Sequence, residues 1–88
     1  MPAITVGLPA ALTAPLPARD VACEAETVGD ALRGVVDQVP QYGPRIFYGD
    51  RLLVAVTLNG ALLPPAEVKG TGLSAGDRLE VVLPVAGG

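Results

Sequence analysis

The last sixteen residues of the chain, Leu73–Gly88, read LSAGDRLEVVLPVAGG and carry the most specific fold signal of the sequence. Residues 73–77 predict a single helical turn with a glycine exit. Residues 78–83 alternate with the two-residue period of a half-buried strand. The inward face of this strand carries Leu79, Val81 and Leu83, and the outward face carries Arg78, Glu80 and Val82. Because Pro84 ends the strand, we expect residues 84–88 to form a flexible tail.

A second strong strand is predicted before this segment, over residues 51–58 (RLLVAVTL). Its inner face carries Leu52, Val54, Val56 and Leu58. Asn59-Gly60 follows directly, and Asn-Gly is a strong signal for a tight hairpin turn. A short strand over residues 61–63 completes this hairpin. Turn-forming residues predict a loop over residues 40–50.

One helix is predicted, over residues 27–39. Thr27 is a suitable N-cap, and Asp30 adds negative charge to the first turn in an arrangement similar to a capping box. The apolar stripe consists of Val28, Leu32, Val35, Val36 and Val39, which recur with the 3.6-residue period of a helix. Pro40 ends the helix. The stripe predicts that this helix packs on a sheet.

The amino-terminal part predicts an antiparallel hairpin. Residues 3–8 place alternate aliphatic side chains on one face. Residues 18–25 alternate more weakly, with Val21 and Cys23 pointing inward. Because two prolines interrupt residues 10–17, we expect a turn or loop there.

The predicted order is therefore strand, strand, helix, strand, short strand, strand. A hairpin, a crossover helix and returning strands form a two-layer α+β domain, with one helix packed on a mixed sheet. We assign residues 1–83 to this domain and residues 84–88 to the tail.

The composition excludes several classes of protein. With 88 residues, the chain can bury one modest core but no deep active site. Its net charge of −3 opposes binding to nucleic acid or to an anionic membrane. It has no His and a single Cys, so it lacks the usual general base and any zinc cluster built from cysteines. No signal peptide is visible, and we expect a cytoplasmic protein that binds no cofactor or metal and is not an enzyme.

The terminal Gly87-Gly88 is the chemically informative feature of the chain. Gly has no side chain to obstruct attack on its carboxylate, so the tail can enter a narrow slot in another protein. Five extended residues span about 16 Å, which leaves the folded domain outside that slot. A carboxylate is a poor electrophile, and adenylation by a partner enzyme would activate it. The alternative interpretation is a frayed end.

The order of elements, the length, Asn59-Gly60 and the segment Leu73–Gly88 together resemble the ubiquitin-like small sulfur carriers. These β-grasp proteins include the small subunit of molybdopterin synthase, the thiamine-pathway sulfur carrier and a cysteine-biosynthesis sulfur carrier. The resemblance covers nearly the whole chain. It implies a β-grasp fold, which agrees with the mixed sheet expected from the pattern of strands.

The resemblance also implies a mechanism in which another protein does the catalysis. An activating enzyme that uses ATP and magnesium would adenylate Gly88, and a sulfur donor would convert it to a thiocarboxylate. A sulfur-accepting synthase would then receive the sulfur. Gly87, which has no side chain, would let the tail enter the narrow active site of each partner. The residues expected to bind these partners are Val82, Pro84, Val85 and Ala86. An ordinary surface valine is an equally good interpretation of Val82.

The tail Leu-Pro-Val-Ala-Gly-Gly looks closest to the cysteine-biosynthesis carrier, and carriers that supply sulfur to other metabolites share its chemistry. The stretch Val6–Ala14 lacks the Phe and the Arg-Glu typical of the molybdopterin synthase subunit. Three other functions stay open. One is that of the molybdopterin synthase small subunit, and another is that of a ubiquitin-like modifier joined to lysines through Gly88. The third is an interaction module whose Gly-Gly is incidental.

Several other residues have a functional and a structural interpretation. Cys23 could relay sulfur, but its inward position favours a place in the core. The aromatic residues Tyr42, Phe47 and Tyr48 could anchor a partner or cover the end of the core. Lys69, the sole lysine, is expected in a solvated loop.

Overall fold

The computed structural model describes residues 1–13 and 17–83. The strands are β1 (Ala3–Leu8), β2 (Arg19–Glu24), β3 (Phe47–Tyr48), β4 (Arg51–Leu52), β5 (Ala55–Leu58), β6 (Ala61–Leu62) and β7 (Arg78–Val82). The α-helices are α1 (Ala10–Thr13), α2 (Val28–Gln38) and α3 (Gly43–Ile46), and a 3₁₀ helix spans Pro40–Tyr42.

Five strands form one mixed sheet in the order β2-β1-β7-β5-β6. The central pair, β1 and β7, is parallel, with Val6 opposite Leu79. The other neighbours are antiparallel, including the predicted amino-terminal hairpin of β1 and β2. The predicted strands 3–8, 18–25 and 78–83 are thus confirmed to within one residue at each end.

Helix α2 covers the inner face of this sheet. Thr27 caps it as predicted, because its Oγ1 accepts a hydrogen bond of 3.2 Å from the backbone N–H of Asp30. From the predicted stripe, Val28, Leu32 and Val35 are fully buried, whereas Val36 and Val39 are partly buried. Their partners in the core are inward-facing sheet residues, namely Ile4, Val6, Leu8, Val21, Val56, Leu79 and Val81.

The prediction of one continuous strand over residues 51–58 is wrong. The chain divides into β4 and β5, and β4 forms a separate two-stranded sheet with β3. Gly49, at φ +62°, makes the turn between β3 and β4. The N–H of Leu53 then donates to the carbonyl of Ile46 at 2.8 Å, so this residue bonds outside the main sheet. The expected loop over residues 40–50 is therefore largely short helices and a strand.

Two further segments differ from their predicted conformation. Residues 10–13 form the single turn α1, because the carbonyl of Pro9 accepts hydrogen bonds from Leu12 and Thr13. Residues 14–16 lie outside the described part. The helical turn predicted at residues 73–77 is instead a tight turn, in which Gly76 has φ +85° and the N–H of Asp77 bonds the carbonyl of Ser74.

Candidate functional site

The residues expected to carry the function lie at the carboxyl end of the chain. Pro84, Val85, Ala86, Gly87 and Gly88 fall outside the described residues, so their roles stay predictions. Val82 is described, and it ends β7 with 43% of its surface exposed. The described part of the site is therefore the surface from which the carboxyl-terminal segment departs.

An apolar patch surrounds this point of departure on the outer face of the sheet. Val82 is opposite Ala55, and Leu62 is opposite Thr57, two residues further along the same face of β5. Leu62 is 67% exposed. We call Ala55, Leu62 and Val82 the outer-face patch. It presents apolar side chains to solvent beside the last residues of β7.

A groove of about 390 Å³ adjoins this patch beside the start of β5. Its walls are mainly apolar and include Leu52, Leu53, Ala55, Leu62, Leu63 and Pro65. Arg51 is the one charged residue among the described residues that line it. The sequence pattern does not predict this groove, because one continuous strand over residues 51–58 would leave no break in the chain beside β5. The Gly49-Asp50 turn within the supposed loop is the signal that could have revealed it.

The opposite end of β7 carries charges that pair with each other. The Arg78 guanidinium lies 2.9 Å from an Asp20 carboxylate oxygen and 2.8 Å from one of Glu80. To reach β2, the Arg78 side chain crosses β1 at Gly7, where a Cβ would lie 2.8 Å from its Nη2. The hydrogen bond from Arg78 lowers the pKa of Asp20 below its ordinary value.

The turn before β7 is linked to the turn between β5 and β6. Asn59 Nδ2 donates to Asp77 Oδ1 at 3.0 Å, and Asn59 Oδ1 accepts from the N–H of Arg78 at 2.9 Å. The N–H of Ser74 donates to Asp77 Oδ2 at 2.8 Å. The bonds from Asn59 and then from Ser74 lower the pKa of Asp77. Asn59 itself has φ +50°, as a tight Asn-Gly hairpin turn requires.

The remaining candidate residues are mostly structural. Cys23 is partly buried against the core, its thiol points to the carbonyl of Ala31, and burial raises its pKa. The packing of Cys23 against the core agrees with the structural interpretation of this residue. Lys69 is exposed and donates to the backbone carbonyl of Asp50.

The three aromatic residues divide between core and surface. Tyr42 is buried in the core, and its hydroxyl has no hydrogen-bond partner within residues 1–13 and 17–83. Phe47 is partly buried beneath the guanidinium of Arg33, 5.0 Å from the ring centre. Tyr48 is 78% exposed at the tip of the β3–β4 hairpin.

The described residues offer no metal site, since no three His, Cys, Asp or Glu side chains gather within metal-binding reach. Among the same residues, no helix has the length and apolar character to cross a membrane.

The central parallel pair, its antiparallel neighbours and the single crossing helix define a β-grasp, ubiquitin-like protein. Residues 9–88 match the model of the ThiS family. The chain belongs to the ThiS family. No curated protein sequence matches it significantly.

Solved structures agree with this assignment. SAMP1 from Haloferax volcanii is 32% identical, with a TM-score of 0.74 over 98% of this chain and 99% of that one. Small archaeal modifier protein 1 (SAMP1) from Methanosarcina acetivorans is 26% identical, with a TM-score of 0.75 over 100% and 98% of the two chains. A complex of subunits 1 and 2 of molybdopterin-converting factor from Helicobacter pylori contains a chain 21% identical, with a TM-score of 0.60 over 98% and 99%. That last likeness is one of fold.

Proposed function

We propose that this protein is a sulfur carrier whose reactive group is the carboxylate of Gly88. A carboxylate oxygen attacks the α-phosphorus of ATP on an activating enzyme, and pyrophosphate leaves. Sulfide or an equivalent donor then attacks the acyl carbon, and AMP leaves. The product is a thiocarboxylate, in which one oxygen of Gly88 has been replaced by sulfur.

One observation carries this proposal: the central strand of a ThiS-family fold leads directly into a segment that ends in Gly-Gly. Gly88 has no side chain to obstruct a nucleophile, and Gly87 lets the backbone enter a narrow active site. The described residues need contribute no catalytic group. They hold β7 in place so that the tail always departs from the same point.

The outer-face patch is the docking surface in this proposal. Val82 and Leu62 are exposed apolar side chains beside the departing tail, and such residues gain binding energy when a partner covers them. With Pro84, Val85 and Ala86 they would contact the activating enzyme, which brings ATP and magnesium. The same surface would then meet a sulfur-accepting synthase. The Helicobacter pylori complex supports this, because there a protein of the same fold is bound to a second subunit.

The acceptor that we propose is an intermediate of cysteine biosynthesis or of another sulfur-containing metabolite, in the cytoplasm. The support is the resemblance of the Leu-Pro-Val-Ala-Gly-Gly ending to the cysteine-biosynthesis carrier.

Intact mass spectrometry tests the carrier function. The full chain is incubated with its activating enzyme, ATP, magnesium and sulfide. We expect a mass increase equal to the exchange of one oxygen for sulfur, located at Gly88, and no increase after deletion of Gly88. Val82→Glu should slow the reaction while leaving the melting temperature nearly unchanged. An unchanged mass with an enzyme active on another carrier would contradict the proposal.

A second function, protein modification, has its own support. Two of the similar structures are small archaeal modifier proteins at 26–32% identity. After the same adenylation, a lysine amine would attack the acyl carbon and form an amide. Immunoblots of cells that express the tagged chain distinguish the two, because conjugates of higher mass that require Gly88 indicate a modifier.

A further inference from the structure

The groove beside β5 combines an apolar interior with one unpaired positive charge. Leu53 is 38% exposed and Leu62 is 67% exposed, so both present apolar surface at its mouth. The Arg51 guanidinium lines the same groove, and it makes no hydrogen bond or ion pair with any described residue. An unpaired cation beside an apolar surface suits a ligand that is apolar along its length and negative at its end.

The register of β7 points toward this groove. Val81 is opposite Val56, and Val82 is opposite Ala55, so each step forward along β7 is a step back along the neighbouring chain. Ala55 lines the groove, so the last residue of β7 is paired with a residue of the groove wall. The chain therefore leaves β7 beside the groove.

The composition of that segment matches the groove. Pro84, Val85 and Ala86 are apolar, and Gly88 ends in a carboxylate. Residues 84–88 span about 16 Å when extended, enough to pass the apolar walls and bring the carboxylate to Arg51. A segment of the same chain also has a high effective concentration, so weak contacts suffice to hold it.

We propose that residues 84–88 dock within their own molecule, with the apolar residues in the groove and the Gly88 carboxylate against the Arg51 guanidinium. This inference rests on the proposed function in one respect, that Gly88 is the terminal residue. The docked tail cannot enter an activating enzyme, so the enzyme competes with the groove for it. The rate of activation then falls in proportion to the docked fraction.

Titration of the Gly88 carboxyl carbon by ¹³C NMR tests this docking in the full chain without any enzyme. In the unaltered protein we expect a pKa at least about 0.5 pH unit below the ordinary α-carboxyl range of roughly 3.3–3.7. Arg51→Gln should return the pKa to that range. Leu62→Ser should return it partly, because it removes apolar contact from an exposed site.

Arg19→Gln is the matched control, because Arg19 is exposed on β2, at the opposite edge of the sheet. It should leave the Gly88 pKa lowered. An equal pKa in the unaltered protein and Arg51→Gln overturns the proposal. So does a lowered pKa that returns to normal on dilution, because that result assigns the groove to the tail of a second copy.

The thiocarboxylate assay separates this inference from the proposed function. If the Gly88 pKa is normal and the thiocarboxylate forms, the docking is wrong and the carrier function stands. If the Gly88 pKa is lowered in a way that depends on Arg51 but no thiocarboxylate forms, the docking stands and the carrier function is wrong. If both hold, Arg51→Gln should form thiocarboxylate faster than the unaltered protein.

Discussion

The two ends of strand β7 differ in almost every physical property. Its first residue, Arg78, takes part in ion pairs with Asp20 and Glu80, and its backbone N–H bonds Asn59. Its last residue, Val82, has no polar side chain to anchor and is 43% exposed within the outer-face patch. The start of the strand is thus held by many directional bonds, and its end presents apolar surface.

This difference suits the proposed function, in which β7 delivers the tail to a partner. Hydrogen bonds and ion pairs at the start set the direction and register of β7, because each bond is satisfied in one geometry only. Polar anchors at the end would have to be broken or covered whenever a partner binds. An apolar end leaves the surface available to a partner.

The largest expected effect comes from the buried face of the strand. Leu79 is fully buried, and Leu79→Ala should lower the free energy of unfolding by about 2–5 kcal/mol through lost contacts and a cavity. Thermal unfolding should show a melting temperature lower by at least roughly 8 °C. Val82→Ala on the same strand should change stability by less than about 0.5 kcal/mol yet slow thiocarboxylate formation. If the two variants lose equal stability, Val82 contributes as much to the fold as Leu79 and is not a surface left available to a partner.

Asn59 tests the anchored end directly. Asn59→Ala removes both side-chain bonds and places an alanine at φ +50°, so we expect a loss of about 1–2 kcal/mol in urea denaturation. Asn59→Gly removes the same bonds but tolerates the positive φ, and should lose less. If the two variants are equally stable, backbone conformation contributes nothing measurable at this turn.

Acidification should weaken the anchored end. The pKa values of Asp20 and Asp77 are lowered in the fold from 3.8, so their charged forms stabilise it above that pH. This contribution is lost as the pH falls through the folded values. Melting temperatures measured between pH 6 and pH 2 should therefore fall at the acid end.

The acid effect should shrink when the responsible bonds are removed. Asp77→Asn has no carboxyl at this position to titrate, and Asn59→Ala removes the bond that lowers the Asp77 pKa most. Both variants should show a shallower acid decline than the unaltered protein. An identical decline in all three proteins would show that other carboxylates dominate it.

The smallest expected effect on stability is at Gly7. Gly7→Ala places a methyl group in the path of the Arg78 side chain, which is flexible and can move aside. Stability should therefore change little, but the Asp20 pKa measured by NMR should rise toward 3.8 as its bond to Arg78 is lost. Ala3→Gly, on the outward face of the same strand, should leave the Asp20 pKa unchanged. An unaltered Asp20 pKa in Gly7→Ala would show that Arg78 does not need the open path.

The elements with a regular pattern were predictable because they are amphipathic. The stripe on α2, its Thr27 cap and the alternation in β1 and β7 agree with the structure to within a residue. The division of residues 51–58 was not predictable from alternation. Leu52, Val54 and Val56 alternate correctly, yet Leu53 bonds to Ile46 in another element, and periodicity carries no information on such long-range bonds.

The same contrast holds for the candidate site. The exposure of Val82 was predictable, since an outward apolar residue is a local feature of a strand, whereas the roles of Gly87 and Gly88 stay predictions. The pairing of Arg78 with Asp20 joins residues 58 positions apart, and neither position alone predicts the other.

By itself, the sequence determined the class of fold and the boundaries of α2, β1, β2 and β7, because periodicity and capping act over a few residues. The tertiary structure decided which strands are neighbours, where β5 begins, and that an apolar groove with Arg51 lies beside the end of β7. Those features depend on contacts between distant residues, and hydrogen bonding and packing select them only when the whole chain has folded.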